Sequence, residues 1–87
     1  MPYTVEFSRN ARRELQRLPE DIQARIWDAV VQLEHNPRTR LVEKLKGAAN
    51  LYRYRVGTYR IVYEVHDDTL IVMLIRIRHR REVYRKR

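Results

Sequence analysis

The chain has no cysteine, so no disulfide framework holds it and no thiolate serves as nucleophile or metal ligand. That composition fits a reducing cytoplasm. Glycine occurs twice, at Gly47 and Gly57, too seldom for a Gly-rich loop that cradles phosphate. No apolar run approaches the ~20 residues that span a bilayer. The first residues, MPYTVEFSRN, lack the apolar centre of an export signal. The expectation is a soluble, cytoplasmic protein with no membrane partner. Of the three histidines, His35 and His66 have no cysteine or acid at ligand spacing, so neither a metal site nor a cofactor is expected. No Ser-His-Asp arrangement stands out. Acidic residues are scarce, 11 against 19 lysines and arginines, a net charge of +8.

The basic excess is uneven. Leu51–Arg87 holds ten basic residues against four acidic ones, while Met1–Asn50 holds nine against seven. A basic surplus gathered in one region is the electrostatic footprint of a nucleic-acid binder. Arginine far outnumbers lysine, which favours bidentate contacts with phosphate or carboxylate. With 87 residues the chain is read as one domain, residues 1–87, with a small core.

The pattern within Leu51–Tyr84 is that of strands. Tyr52, Tyr54 and Val56 alternate with Arg53 and Arg55; Tyr59, Ile61, Tyr63 and Val65 alternate with Arg60, Val62 and Glu64. Two-residue periodicity marks strands with two unlike faces. Gly57-Thr58 between them is a two-residue hairpin turn. It sets Val56 opposite Tyr59, Arg55 opposite Arg60 and Tyr54 opposite Ile61. One face is then tyrosine and aliphatic, and the other gathers Arg53, Arg55 and Arg60. Like charges facing each other across strands are destabilising, so the cluster suggests a site for a polyanion. For the third strand, a turn at His66–Thr69 predicts Val65 opposite Leu70 and Arg60 opposite Ile75. That register places Leu70, Val72 and Leu74 on the tyrosine face. Ile71, Met73, Ile75, Ile77 and His79 fall on the arginine face.

Upstream, Tyr3–Phe7 alternates as a short strand. Ser8 is an N-cap, and Ala11, Leu15 and Leu18 form the apolar stripe of a first helix. Pro19-Glu20-Asp21 opens a second helix with acids where its dipole favours them. Ile22, Ile26, Ala29, Val30 and Leu33 form its buried face, and Asn36-Pro37 ends it. Arg38–Asn50 is read as a connector. The expected fold is α+β, in the order β-α-α-β-β-β. A four-stranded, antiparallel-rich sheet carries the two-helix hairpin on its tyrosine face.

The segments KLKG at 44–47, LYRYRVGTYRIVYEV at 51–65 and IRHRREVYR at 77–85, with the helical pattern before them, resemble the RelE/ParE superfamily of bacterial toxins. The likeness spans nearly the whole chain. It implies a RelE-like sheet and, for the RelE branch, a ribosome-dependent mRNA endonuclease of a type II toxin–antitoxin pair. The implied partners are a cognate antitoxin, the ribosome and mRNA. By position, the cleaving residues of RelE-like nucleases correspond to Arg53, Arg55, Arg60, Arg80 and Tyr84. The best-known members have lysine where this chain has Arg53 and Arg55. Many relatives have a small residue at Arg78. Another nuclease branch matches at Glu43, Arg60 and His79.

The implied chemistry is metal-free cleavage by the RNA 2′-hydroxyl. Arginine is a poor base because its pKa exceeds about 12, so Arg53 and Arg55 suit phosphate binding, and Arg60 suits transition-state stabilisation. His79 is the one side chain of the set whose ordinary pKa lies near neutrality, and is the first candidate for proton transfer. Glu43 and Tyr84 are the others. Arg80 joins the catalytic set, and Arg78 and Arg81 are expected RNA contacts. Two other functions share these features: a ParE-like toxin that poisons DNA gyrase without cutting RNA, and a non-catalytic nucleic-acid-binding module.

Overall fold

The computed structural model describes residues 2–39, 42–47 and 49–79. Its elements are β1 (Thr4–Phe7), α1 (Arg9–Gln16), α2 (Glu20–His35), β2 (Val42–Lys44), β3 (Leu51–Val56), β4 (Tyr59–His66) and β5 (Ile71–His79). The strands form one sheet in the order β1-β5-β4-β3-β2. β1 runs parallel to β5, and the other neighbouring strands are antiparallel.

The helices form where the sequence signals them. Ser8 caps α1, its Oγ accepting the Ala11 N–H at 3.0 Å, which satisfies one of the donors left over at a helix start. α2 begins after Pro19 with Glu20 and Asp21 in its first turn. Ala11 and Leu15 of α1, and Ile26, Ala29, Val30 and Leu33 of α2, are buried against Tyr52, Ile61, Tyr63, Val65, Val72, Leu74 and Ile77 of the sheet. Full burial of an aliphatic side chain contributes roughly 1.5–3 kcal/mol. The tyrosine-aliphatic face is therefore the core face, as its alternation predicts. The Tyr63 hydroxyl inside that core donates to the Pro37 carbonyl at 2.6 Å, and burial pushes its pKa well above that of a free tyrosine. Among the described residues, no helix is long and apolar enough to cross a membrane.

Two features depart from the expected architecture. The sheet has five strands rather than four, because the supposed connector contributes β2. Only three residues long, it pairs along the outer edge of β3, with Val42 opposite Tyr54, Glu43 opposite Arg53 and Lys44 opposite Tyr52. The second departure is the register of β5. The β3–β4 hairpin pairs as predicted, with Arg55 opposite Arg60, and Gly57 adopts the positive φ of 60° that its turn demands. The β4–β5 turn has the predicted four residues but lies one residue later, at Asp67–Leu70. His66 pairs with Ile71, so Leu70 lies in the turn and not on the tyrosine face, at a φ of 55°. Val65 faces Val72, not Leu70. A bulge then follows: Tyr63 faces Leu74 and Val62 faces Arg76, leaving Ile75 as the extra residue. A bulge inserts one residue into one strand and reverses the face of everything beyond it.

The loops are tied down by a polar cluster at the β4–β5 turn. Asp67 accepts from Tyr3 Oη at 2.6 Å and from both terminal nitrogens of Arg38, at 3.1 and 2.7 Å. Arg38 Nε donates to Tyr52 Oη at 2.9 Å. The Arg38 guanidinium, with Tyr3 beside it, holds the Asp67 carboxyl below its ordinary pKa. A carboxylate depressed in the folded state stabilises fully above its unfolded pKa, near about 4, and loses that contribution as pH falls through the folded value. The melting-temperature gap between the parent and Asp67→Asn should therefore be largest near neutrality and shrink below about pH 4. A gap that stays constant into strong acid contradicts this role.

Candidate nucleic-acid interface and active site

The face opposite the helices is built by alternation. Across β3, β4 and the end of β5, Arg55, Arg60 and Arg78 occupy one cross-strand row, since Arg60 pairs with both neighbours. The next row runs Glu43, Arg53, Val62 and Arg76. Five arginines thus occupy two adjacent rows of pairing positions. Arg55 is exposed and Arg53 half-buried, while Arg60 is only 3% exposed. Among the described residues Arg60 is the buried charged side chain. A guanidinium taken out of water acts through a lower dielectric and interacts more strongly with any anion brought to it.

Glu43 also belongs to this face. Its Oε1 accepts from Arg53 Nη2 at 2.5 Å. The Arg53 guanidinium, with Arg55 and Arg60 adding their charge, holds the Glu43 carboxyl below its ordinary range. A carboxylate held this way is a weakened base, and it offsets part of the repulsion among the arginines. The pair is exposed on the Glu43 side, where solvent screens it.

His79 is not on the arginine face, contrary to the predicted register. It pairs with Tyr59, and the two rings meet edge to face with centroids 5.0 Å apart. Ile77, expected beside the arginines, is buried in the core opposite Ile61. The bulge at Ile75 is the physical cause: it turns Ile77 and His79 inward and places Arg76 and Arg78 in the arginine rows. Arg78, read from the sequence as an accessory contact, is thus the direct cross-strand neighbour of Arg60. Arg80, Arg81 and Tyr84 lie outside the described residues. The structure therefore brings together Glu43, Arg53, Arg55, Arg60 and Arg78, and separates His79 from them.

A second element shapes this end of β5. β1 pairs only with Ile71–Leu74, and beyond it α1 takes over. Ser8 N–H donates to the Leu74 carbonyl at 2.8 Å, and Ser8 Oγ donates to the Ile75 carbonyl at 2.8 Å. Glu14 Oε1 accepts the Ile77 N–H at 2.7 Å, and Oε2 accepts Arg76 Nε at 2.9 Å and lies 2.7 Å from Arg76 Nη2. A capping serine and a helix glutamate do for this edge what a strand would otherwise do. Nothing in the local pattern of α1 distinguishes Glu14 from a solvent-facing glutamate, so the sequence reading missed it.

Comparison with known proteins agrees with this fold. Residues 5–84 match the family model described as the ParE toxin of the type II toxin–antitoxin system parDE. The chain is 36% identical over 87 residues to Toxin RelG of Mycobacterium tuberculosis, covering 99% of this chain and 100% of the relative. It is 30% identical over 88 residues to the mRNA interferase toxin RelE of Escherichia coli, covering 97% and 92%. Among solved structures, a chain of the toxin–antitoxin complex RelBE2 from M. tuberculosis superposes with a TM-score of 0.82 at 35% identity, covering 92% of this chain and 100% of that one. The isolated E. coli RelE toxin superposes with a TM-score of 0.81 at 28% identity, covering 94% and 90%.

Proposed function

This chain belongs to the RelE/ParE superfamily of type II toxins, and we propose that it acts as an endoribonuclease on ribosome-bound mRNA in the cytoplasm. The observation that carries this reading is the Arg55–Arg60–Arg78 row, with Arg60 buried at its centre. In the reaction the 2′-hydroxyl loses its proton and its oxygen bonds to the adjacent phosphorus. The bond to the 5′-oxygen breaks, and that oxygen takes up a proton. The products are a 2′,3′-cyclic phosphate and a 5′-hydroxyl end. Negative charge builds on the phosphoryl oxygens, where fixed guanidinium donors stabilise it.

Arg60 and Arg78 are assigned to that charge, and Arg53 and Arg55 to positioning the backbone. Glu43 is engaged by Arg53, and His79 is turned toward Tyr59. This shifts proton transfer to Tyr84, which the family resemblance adds from the tail together with Arg80. The curated relatives named mRNA interferases support the nuclease over the gyrase-directed reading, although the matched family model carries the ParE name.

Relatives solved as RelB–RelE complexes support a cognate antitoxin as partner. A small protein from the adjacent reading frame should co-purify with this one and suppress its toxicity. Mapping mRNA ends by primer extension after incubation with translating ribosomes tests the activity. New ends that require both ribosomes and this protein support it; intact message together with accumulating gyrase-dependent DNA breaks supports the ParE-like alternative.

A phosphate-positioning role for Arg55 has its own signature. Removing one phosphate contact lowers the salt dependence of binding to single-stranded RNA by about 0.7 in log–log slope. Arg55→Ala, read by RNA affinity over a salt series, should show that reduction. An unchanged slope removes Arg55 from the RNA contacts.

A further inference from the structure

The outer edge of β5 changes its partner halfway along, and that change coincides with the bulge. From Ile71 to Leu74 the partner is β1. From Leu74 to Ile77 the bonds go to Ser8 and Glu14. Without a bulge, strict alternation from Leu74 would bury Arg76 and Arg78 and turn Ile77 outward. With it, Ile77 is in the core and Arg78 lies across from Arg60. The side chains of α1 thus bracket the one irregularity that decides which residues of β5 face the RNA.

The geometry points to Glu14 as a positioning residue of the catalytic face. It acts on the backbone and on the neighbouring Arg76. One oxygen fixes the Ile77 N–H, immediately before Arg78. The other holds the Arg76 guanidinium, immediately before Ile77. Glu14 is itself only 21% exposed on its side chain, and a carboxylate accepting a backbone N–H from a half-buried position makes a strong, charge-assisted bond. Fixing Ile77 fixes the Cα of Arg78 against β4, and small displacements of a transition-state donor, near 1 Å, can cost about 10²-fold in rate. Core burial of Ile77 keeps the register broadly correct without Glu14, so the expected loss lies in the accuracy of Arg78, not in the fold.

This inference rests on the nuclease reading for its kinetic arm and stands on its own for its structural arm. The test compares Glu14→Ala, Glu14→Gln, Arg78→Ala and the Glu14→Ala/Arg78→Ala double variant of the full chain, on ribosome-bound mRNA under single-turnover conditions. Glutamine keeps an oxygen for the Ile77 N–H and loses the charge opposite Arg76. Glu14→Ala should lower the maximal rate about 10- to 100-fold with half-saturation unchanged. Glu14→Gln should recover most of that loss. In the Arg78→Ala background, Glu14→Ala should add little, because it acts through Arg78. In the structural arm, amide exchange at Ile77 should accelerate in Glu14→Ala and stay near parent in Glu14→Gln, which also serves if the alanine variant fails to fold. Full additivity of the two losses, or parent-like rate and exchange in Glu14→Ala, overturns the proposal. If the parent cuts no RNA, the nuclease reading fails and Ile77 exchange alone decides the role of Glu14.

Discussion

Arg60→Ala should lower single-turnover cleavage of ribosome-bound mRNA by about 10² to 10³, the range observed when a preorganised transition-state donor is removed. Arg60 is placed for that role by two strand pairings at once, to Arg55 on one side and Arg78 on the other. Its burial keeps water from screening the guanidinium. Arg60→Lys preserves the charge but not the planar fork that engages two phosphoryl oxygens, so it should recover only part of the rate. Melting temperature and antitoxin binding, followed in parallel, separate a lost donor from a lost fold. A stably folded Arg60→Ala that cuts at the parent rate removes Arg60 from the chemistry.

The second large effect distinguishes neighbours. Arg78→Ala should also fall by about 10², while His79→Ala should stay within a few-fold of the parent. The two residues are adjacent, and alternation sends them to opposite faces. Arg78 meets Arg60, and His79 meets the ring of Tyr59. A histidine acting as general base contributes typically about 10²- to 10⁴-fold, so the two assignments predict opposite rankings. His79→Ala falling as far as Arg60→Ala, in a folded protein, returns proton transfer to His79. That outcome requires its ring to leave Tyr59 when RNA binds.

The reason the sequence misplaced His79 is local. Leu70-Ile71-Val72-Met73-Leu74-Ile75 is apolar at every position, so its alternation has no phase to read. The assumed turn kept the right parity as far as Leu74, and unbroken alternation was then carried past the bulge at Ile75, which reverses it for Ile77 and His79. A corrective signal was present further on: in Ile75-Arg76-Ile77-Arg78 the arginines alternate with isoleucines, which asks for Ile77 inward and both arginines outward. The adjacent pair Leu74-Ile75 marks the break between the two phases. By contrast, the β3–β4 register was legible because Gly57-Thr58 leaves one way to close the turn and tyrosine alternates with arginine on both sides. The helices were legible from caps, stripes and Pro19 and Pro37.

β2 was hidden for a different reason. Three residues, two of them charged, carry no period of their own, and what makes Val42–Lys44 a strand is the bare edge of β3. Glu14 is a similar case, since its function depends on where β1 stops pairing with β5. The arginine cluster itself could be read in advance because it sits on the well-specified hairpin. Its completion by Arg78 depended on a tertiary device, the bulge held by α1.

The nuclease account is tested most directly by one substitution in the substrate. Ribosomes are programmed with a message whose cleavage site has been mapped, and with the same message carrying a single 2′-deoxy nucleotide there. The parent protein should cut the first, leaving a 2′,3′-cyclic phosphate, and leave the second intact at that site, because the attacking oxygen is gone. Cleavage of both messages at equal rates, or of neither while gyrase-dependent DNA breaks accumulate, contradicts the account.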